Sequence, residues 1–313
     1  MAERRALGPT AALLGLLALE LVAFGIFGHN FLTLTNGFEI VRASVEVGLL
    51  ALALTAVIAT GGIDLSVGSL LGLCAVVFGW LAREAGLAVP VAAALAVATG
   101  TLGGLLNGWL VTGLRLPPLI VTLGTYSLYR GLAEAATGGV ANYTGFPDAF
   151  LGLGQGTFLG GVPAQLPVLA AAGIFFWLLV QRSVVGRGLE AIGYAPEAAR
   201  HAGVPVGARL RLVYVLSGSF AGVASLVYVA RLGQAKADAG TGFELLAITA
   251  VVLGGTSIFG GRASVAGTLA GLFVLALLQN GLRLADQPAE LAGILTGMLL
   301  LLALALSRER KAS

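Results

Sequence analysis

Very few side chains in this sequence are equipped for chemistry, and their spacing excludes most of it. One carboxylate, Asp64, interrupts an apolar region in the stretch GGIDLSVGSLLGL at 61–73. Another, Glu20, stands isolated in the first apolar run. The two histidines, His29 and His201, fall in segments read below as loops on opposite sides of a membrane, so they make no metal site. The single cysteine, Cys74, excludes an internal disulfide and a cysteine metal cluster. No paired catalytic aspartates, no serine with histidine and no H-E-x-x-H occur in the apolar segments, which argues against an intramembrane enzyme. A proton relay would need a second titratable group in the apolar centre of another span, and none stands out. No G-x-x-x-x-G-K-[ST] phosphate loop is present to cradle a nucleotide. Neither a metal nor a cofactor is expected.

What remains for Asp64 is to shape the chain around it. Gly61 and Gly62 break one helix, and Asp64 or Ser66 caps the next. An acidic cap also suits the positive end of the helix macrodipole. The other reading puts Asp64 in a transport pathway or an inner gate. A similar break recurs in VVLGGTSIFGGRASVAGTLAGL, where Gly254 and Gly255 precede Thr256 and Ser257 and an apolar run restarts at Ser264. Glycine-interrupted segments in corresponding halves of a membrane protein point to a transport pathway.

The elements that position these residues follow from composition. Of 313 residues, 58% are hydrophobic and 11% charged, and mean hydropathy is +0.96. Apolar stretches recur at the length a helix needs to cross about 30 Å of hydrocarbon. The sequence predicts an all-α, polytopic transmembrane helical bundle, one domain over 1–313. Ten spans are expected, at roughly 11–28, 43–60, 66–82, 88–112, 119–136, 166–181, 207–230, 244–258, 264–282 and 289–306. The 47 glycines fit close helix approach in a membrane. The apolar runs lack the alternation of a spanning barrel. The first span follows a charged start but no cleavage site, and is expected to be retained. With both termini cytoplasmic, 12 of 18 Lys and Arg fall inside, including Arg115, Arg182, Arg200, Arg262, Arg310 and Lys311. Arg42, Arg83, Arg130, Arg231, Lys236 and Arg283 fall outside. The net charge of +3 follows from this bias and does not signal nucleic-acid binding.

Two loops exceed the short hairpins. The outer one, at about 137–165, is rich in glycine and carries Tyr143, Phe146, Phe150 and Phe158 but no Lys or Arg. It reads as a functional element or as a seal over the outer mouth. The inner one, at about 182–206, holds a short helix at Pro196–His201, opened by proline and closed by Gly203 with Pro205 beyond. Its sequence PEAARHAG has no Trp, Phe or Leu face for lipid headgroups, and so suits a protein groove better than a membrane surface.

Three stretches in order, GGIDLSVGSLLGL, GLEAIGYAPEAARHAGV and GTGFELLAITAVVLGGTSIFGGRASVAGTLAGL, resemble the membrane permease subunit of bacterial ABC importers for monosaccharides, the ribose, xylose and galactose class. The resemblance covers roughly 40–306, and LPPLIVTLGTYSLYRGLAEAATGG with YTGFPDAFLGLGQG looks nearest to the rhamnose and autoinducer-2 permeases. It implies a multi-pass protein of the bacterial inner membrane that is not an enzyme. The implied partners are a cytoplasmic ABC ATPase subunit, a periplasmic sugar-binding protein and a second permease, identical or different. The resemblance makes the segment from Ile192 to Gly203 a coupling helix seated in the ATPase, with Ile192, Gly193, Glu197, Arg200 and Gly203 as its key positions. Glu197 and Arg200 equally suit a local i, i+3 ion pair. A neutral sugar asks for uncharged polar groups along its path. Asn107, Thr122, Thr125, Tyr126, Thr249, Thr256 and Asn280 are candidates, each of which also fits a helix-packing hydrogen bond. The competing function is an autonomous secondary carrier or channel for a small neutral solute. The inner helix and the missing intramembrane ion ligands argue against it.

Overall fold

The computed structural model describes residues 3–158 and 160–309. The chain is a polytopic helical bundle. Its first five helices, α1 (Glu3–Phe27), α2 (Leu34–Ala59), α3 (Val67–Arg83), α4 (Val89–Gly113) and α5 (Pro118–Thr137), are joined by short connections. The outer segment follows with β1 (Tyr143–Thr144), α6 (Asp148–Gln155), β2 (Thr157–Phe158) and β3 (Val162–Pro163). Next come α7 (Leu166–Phe176), a π-helical turn (Trp177–Arg182), α8 (Val184–Tyr194), α9 (Pro196–His201) and α10 (Val206–Leu232). The chain ends in β4 (Gln234–Ala235), α11 (Phe243–Leu253), α12 (Val265–Leu284) and α13 (Ala289–Glu309).

Among the described residues, α2, α4, α10 and α12 are long and apolar enough to cross a bilayer. Leu166–Arg182 joined to Val184–Tyr194 makes a fifth, bent by 65°. Each of the ten expected spans has a helix at its position, but the eighth needs correction. Its helix stops at Leu253 instead of reaching 258, because the chain turns through Gly254 and Gly255, the latter at φ +86°. Eleven residues of helix cover about 16 Å, half of a hydrocarbon core. The sequence reading also missed α8, which it folded into a loop. The two chain ends, with Arg310 and Lys311, lie outside the described residues.

Helix α2 is the axis of the bundle, and every residue from Ser44 to Thr60 is buried. A helix that is apolar all round belongs in such a place. Around it, α4 and α10 pack backbone to backbone through Gly100 and Gly104 on one and Gly218 and Gly222 on the other. A Cβ on Gly218 would meet the Gly104 Cα at 2.8 Å, and one on Gly222 the Val97 Cα at 2.8 Å. Close approach through small residues supplies the packing that lipid cannot drive.

The chain between α10 and α11 passes through β4 and then a series of turns, and it follows α3. Ala235 lies against Gly79, the carbonyls of Ala237 and Ala239 against Gly72, and Gly240 against Gly68. Those three glycines share one face of α3 with Ala75, at spacings of four, three and four residues. The short α11 is therefore preceded by a non-helical segment packed on α3. Backbone exposed at this depth needs partners. The Arg130 guanidinium of α5 supplies them, donating to the Ala237 and Ala239 carbonyls. At the start of that segment, β1 pairs antiparallel with β4, and Phe146 and Phe150 cluster on Phe78 of α3. The long loop at about 137–165 is thus anchored to α3 and to β4.

Candidate functional site

The first interruption runs from Thr60 to Ser66. Gly61 turns the chain at φ +79°, a conformation that favours glycine. Asp64 is 1% exposed and accepts three hydrogen bonds. Its Oδ1 takes the Ser66 N–H at 3.0 Å and the Ser66 hydroxyl at 2.6 Å, and its Oδ2 takes the Ser217 hydroxyl of α10 at 2.8 Å. Ser66 Oγ in turn accepts from Asn107 Nδ2 of α4 at 2.8 Å. From α5, Thr122 Oγ1 donates to the Ile63 carbonyl at 3.1 Å. The expectation that Asp64 or Ser66 caps α3 through its side chain is corrected. Ser66 is the N-cap residue, but its side chain makes no capping bond, and Asp64 bonds Ser66 itself and not the free N–H groups beyond it. The carboxylate instead ties the break to α4 and α10.

The second interruption, 254–264, contains no ionisable side chain but Arg262. Gly254 packs on Gly267, and Gly271 on Ala250, so α11 and α12 touch through their backbones. Thr256 Oγ1 accepts the Ser264 N–H at 3.1 Å, and Ser264 caps α12 by accepting the Gly267 N–H at 3.0 Å. The apolar restart expected at Ser264 is a capped helix start.

Both interruptions meet α8. A Cβ on Gly193 would strike the Gly260 Cα at 2.8 Å and crowd the Ala59 carbonyl and the Gly261 N–H, while one on Gly260 would meet the Gly193 Cα and the Gly61 N at 2.7 Å. Gly261 N–H donates to the Ala59 carbonyl at 3.0 Å, and Ala263 N–H to Glu190 Oε1 of α8 at 3.1 Å. No side chain separates these three pieces of backbone at Gly193. Beyond it, Ala195 is extended, α9 begins at Pro196, and Gly203 ends the unit at φ +83°. Ile192 and Ala199 are buried together with Val206 in a small apolar cluster, which fixes α8 and α9 to the start of α10. Glu197 and Arg200 are exposed and pair with each other, both carboxylate oxygens lying 2.9 Å from Arg200 Nη1.

The seven pathway candidates do not line one cavity. Asn107 and Thr122 belong to the Asp64 cluster. Thr125 and Thr249 donate to carbonyls four residues back in their own helices. Thr256 holds Ser264. Asn280 exchanges two 2.9 Å hydrogen bonds with Asn36 and so clamps α12 to α2. Tyr126 is half-buried, and only Thr249 and Asn280 border the grooves beside α12.

Sequence reasoning missed three residues. Glu46, fully buried in α2, takes a 2.6 Å bond from Arg231 Nε of α10, so a carboxylate besides Glu20 does lie inside an apolar helix. It is paired with that arginine, and adds no relay. Arg130 was counted only as an outer charge. Tyr194 is 89% exposed at the end of α8, beside Gly261. A carboxylate or guanidinium within an apolar run was the available signal for the first two; nothing local marks Tyr194.

These features define a membrane permease. Residues 36–304 match the family described as the branched-chain amino acid transport system permease component, and the chain belongs to that family. Among curated proteins it is similar to the autoinducer 2 import system permease protein LsrD of Salmonella typhimurium (strain LT2), at 36% identity over 93% of this chain and 88% of that one. The LsrD protein of Escherichia coli (strain K12) is 37% identical over 93% of this chain and 89% of its own. No solved structure matches the chain. It is a multi-pass protein of the bacterial inner membrane and the permease subunit of an ABC importer, a class whose partners are an ATPase and a substrate-binding protein.

Proposed function

We propose that the chain forms the translocation pathway for a monosaccharide or related small polyol, with a rhamnose-like sugar or autoinducer-2 favoured. Identity to the two LsrD proteins over nearly the full length supports that substrate class. In this reading the chain carries no nucleotide site, crosses the membrane ten times with both termini inside, and pairs with a second permease. The unit α8–α9 is the coupling element, and α9 with Glu197, Arg200 and the exposed Tyr194 docks on the ATPase.

One observation carries this: α8 packs by bare backbone at Gly193 against the end of α2, where the first interruption begins, and against the second interruption at Gly260 and Gly261. A push on α9 therefore reaches Gly61 and Gly260 without passing through flexible side chains, as a rigid-body transition requires. An autonomous carrier has no use for such a lever. The test is to purify the permease with its co-purifying ATPase and binding protein, identify the sugar held by the latter, and measure its uptake into proteoliposomes. Uptake should require ATP and the binding protein. Uptake by the permease alone would establish the carrier instead.

A further inference from the structure

Outside the interruptions, one groove holds polar groups with no structural task. It lies between α11, α12 and α13 and has a volume of about 830 Å³, within the range of small-molecule sites. A smaller lobe of about 250 Å³ adjoins it toward α2, and Gln279 and Arg283 border both. These two are one helical turn apart on α12, are exposed, and make no side-chain hydrogen bond or ion pair among the described residues. Thr296 of α13 faces the same space. It is 8% exposed, yet its hydroxyl has no partner. Thr249 of α11 donates to Leu245, which leaves its oxygen free to accept. Phe243, set edge-on to Tyr228, adds an aromatic wall.

We propose that this groove is a transit site for a small, uncharged, polyhydroxylated solute, an inference that rests on the reading of the chain as a sugar or polyol permease. Its charged lining is one Arg283 and one Asp286, which balance and give a charged ligand no advantage. An acyl chain would leave Gln279 and the Thr296 hydroxyl without partners, a costly arrangement away from water. A polyol supplies donors and acceptors to both and places its C–H face on Phe243. The weakness of each contact suits a site that must release its occupant.

The test uses the complete importer in proteoliposomes, with radiolabelled L-rhamnose and autoinducer-2 as probes. Gln279→Leu with Thr296→Val should lower uptake about tenfold per assembled complex, the loss of one to two hydrogen bonds. Gly297→Leu should do the same by filling the groove, since a Cβ there meets nothing within 4 Å. Wild-type uptake in both variants would overturn the site and give the groove to lipid, which apolar substitution only favours. An independent arm reads the groove without transport. Thr296→Cys, with Cys74 replaced by alanine, should react with a membrane-impermeant hydrophilic thiol reagent added outside. No reaction at 296 alongside ready reaction at Thr241→Cys overturns the proposal. Uptake of neither probe by the wild type sinks the rhamnose or autoinducer-2 reading of the substrate, and labelling at 296 then decides the groove alone.

Discussion

The two helix interruptions solve one problem with different materials. At 60–66 the chain is held by side chains: one buried carboxylate collects bonds from its own turn and from α10, and Asn107 of α4 joins through Ser66. At 254–264 it is held by backbone, with Gly254 against Gly267, Gly271 against Ala250, and hydroxyl contacts from Thr256 and Ser264. A carboxylate with three donors fits one geometry, and hydrogen bonds to a charged group contribute about 1.5–3 kcal/mol each. Glycine surfaces tolerate small sliding, because no side chain has to change rotamer. We therefore expect the first interruption to be the fixed side of the coupling unit and the second the side that moves.

The largest expected effect breaks the fixed side. Asp64→Leu leaves the Ser66 and Ser217 donors unpaired in an apolar interior, at about 1–3 kcal/mol for each orphaned group. Folded yield, read as the monodisperse fraction after extraction, should collapse. Asp64→Asn keeps the shape and part of the acceptor capacity, so most transport should survive. If that variant folds well and transports nothing, the charge itself has a role and the carboxylate is no mere anchor.

Next in size is the point where the two sides meet. Gly193→Ala places a methyl group among the backbones of Ala59, Gly260 and Gly261. Overpacking of this kind typically costs about 1–3 kcal/mol. Because the strain falls on the joint, the expected signature is ATP hydrolysis that persists while uptake per ATP falls. Equal loss of both would mean that Gly193 matters only for folding. A smaller effect belongs to the sliding side alone. Ser264→Ala removes the α12 cap, worth about 1 kcal/mol. It should lower the melting temperature slightly and leave transport near the wild-type level. A transport loss as deep as that of Gly193→Ala would erase the contrast between the two breaks.

How much of this was legible in the sequence follows the range of each interaction. The breaks themselves are local: glycine pairs followed by a polar residue and an apolar restart announce them. The long-range partners of Asp64 and Ser66 are not, since Ser217 and Asn107 come from other helices and their types suit ordinary helix packing. Gly193 was named among the key positions of the coupling segment, but that it meets the end of α2 and the second break depends on α8, which was read as loop. Its run VVGRGLEAIGY carries three glycines, and tertiary contact overrides their poor helix propensity. The stripe Gly68, Gly72, Ala75 and Gly79 was visible at helical spacing. It says that something approaches α3 closely, and only the fold shows that this is the non-helical chain before α11.

The smallest effect on the chain itself concerns Glu197 and Arg200, and it asks whether the moving side is addressed by charge. In the isolated chain the two residues pair across one turn of α9, both largely exposed. Such a pair stabilises a helix by about 0.2–0.5 kcal/mol, so reversing either sign should scarcely alter folding. Docking is another matter, because a partner's charges are fixed in place and like charges brought together at an interface cost far more. Glu197→Arg and Arg200→Glu should each weaken capture of the ATPase and substrate-stimulated ATP hydrolysis. The double exchange separates the two roles. It restores a local ion pair, whereas contacts to fixed partner charges stay mismatched. We expect no rescue. Full recovery in the double variant would reduce the pair to a surface salt bridge and would leave Tyr194 and the small face of α9 to carry the docking.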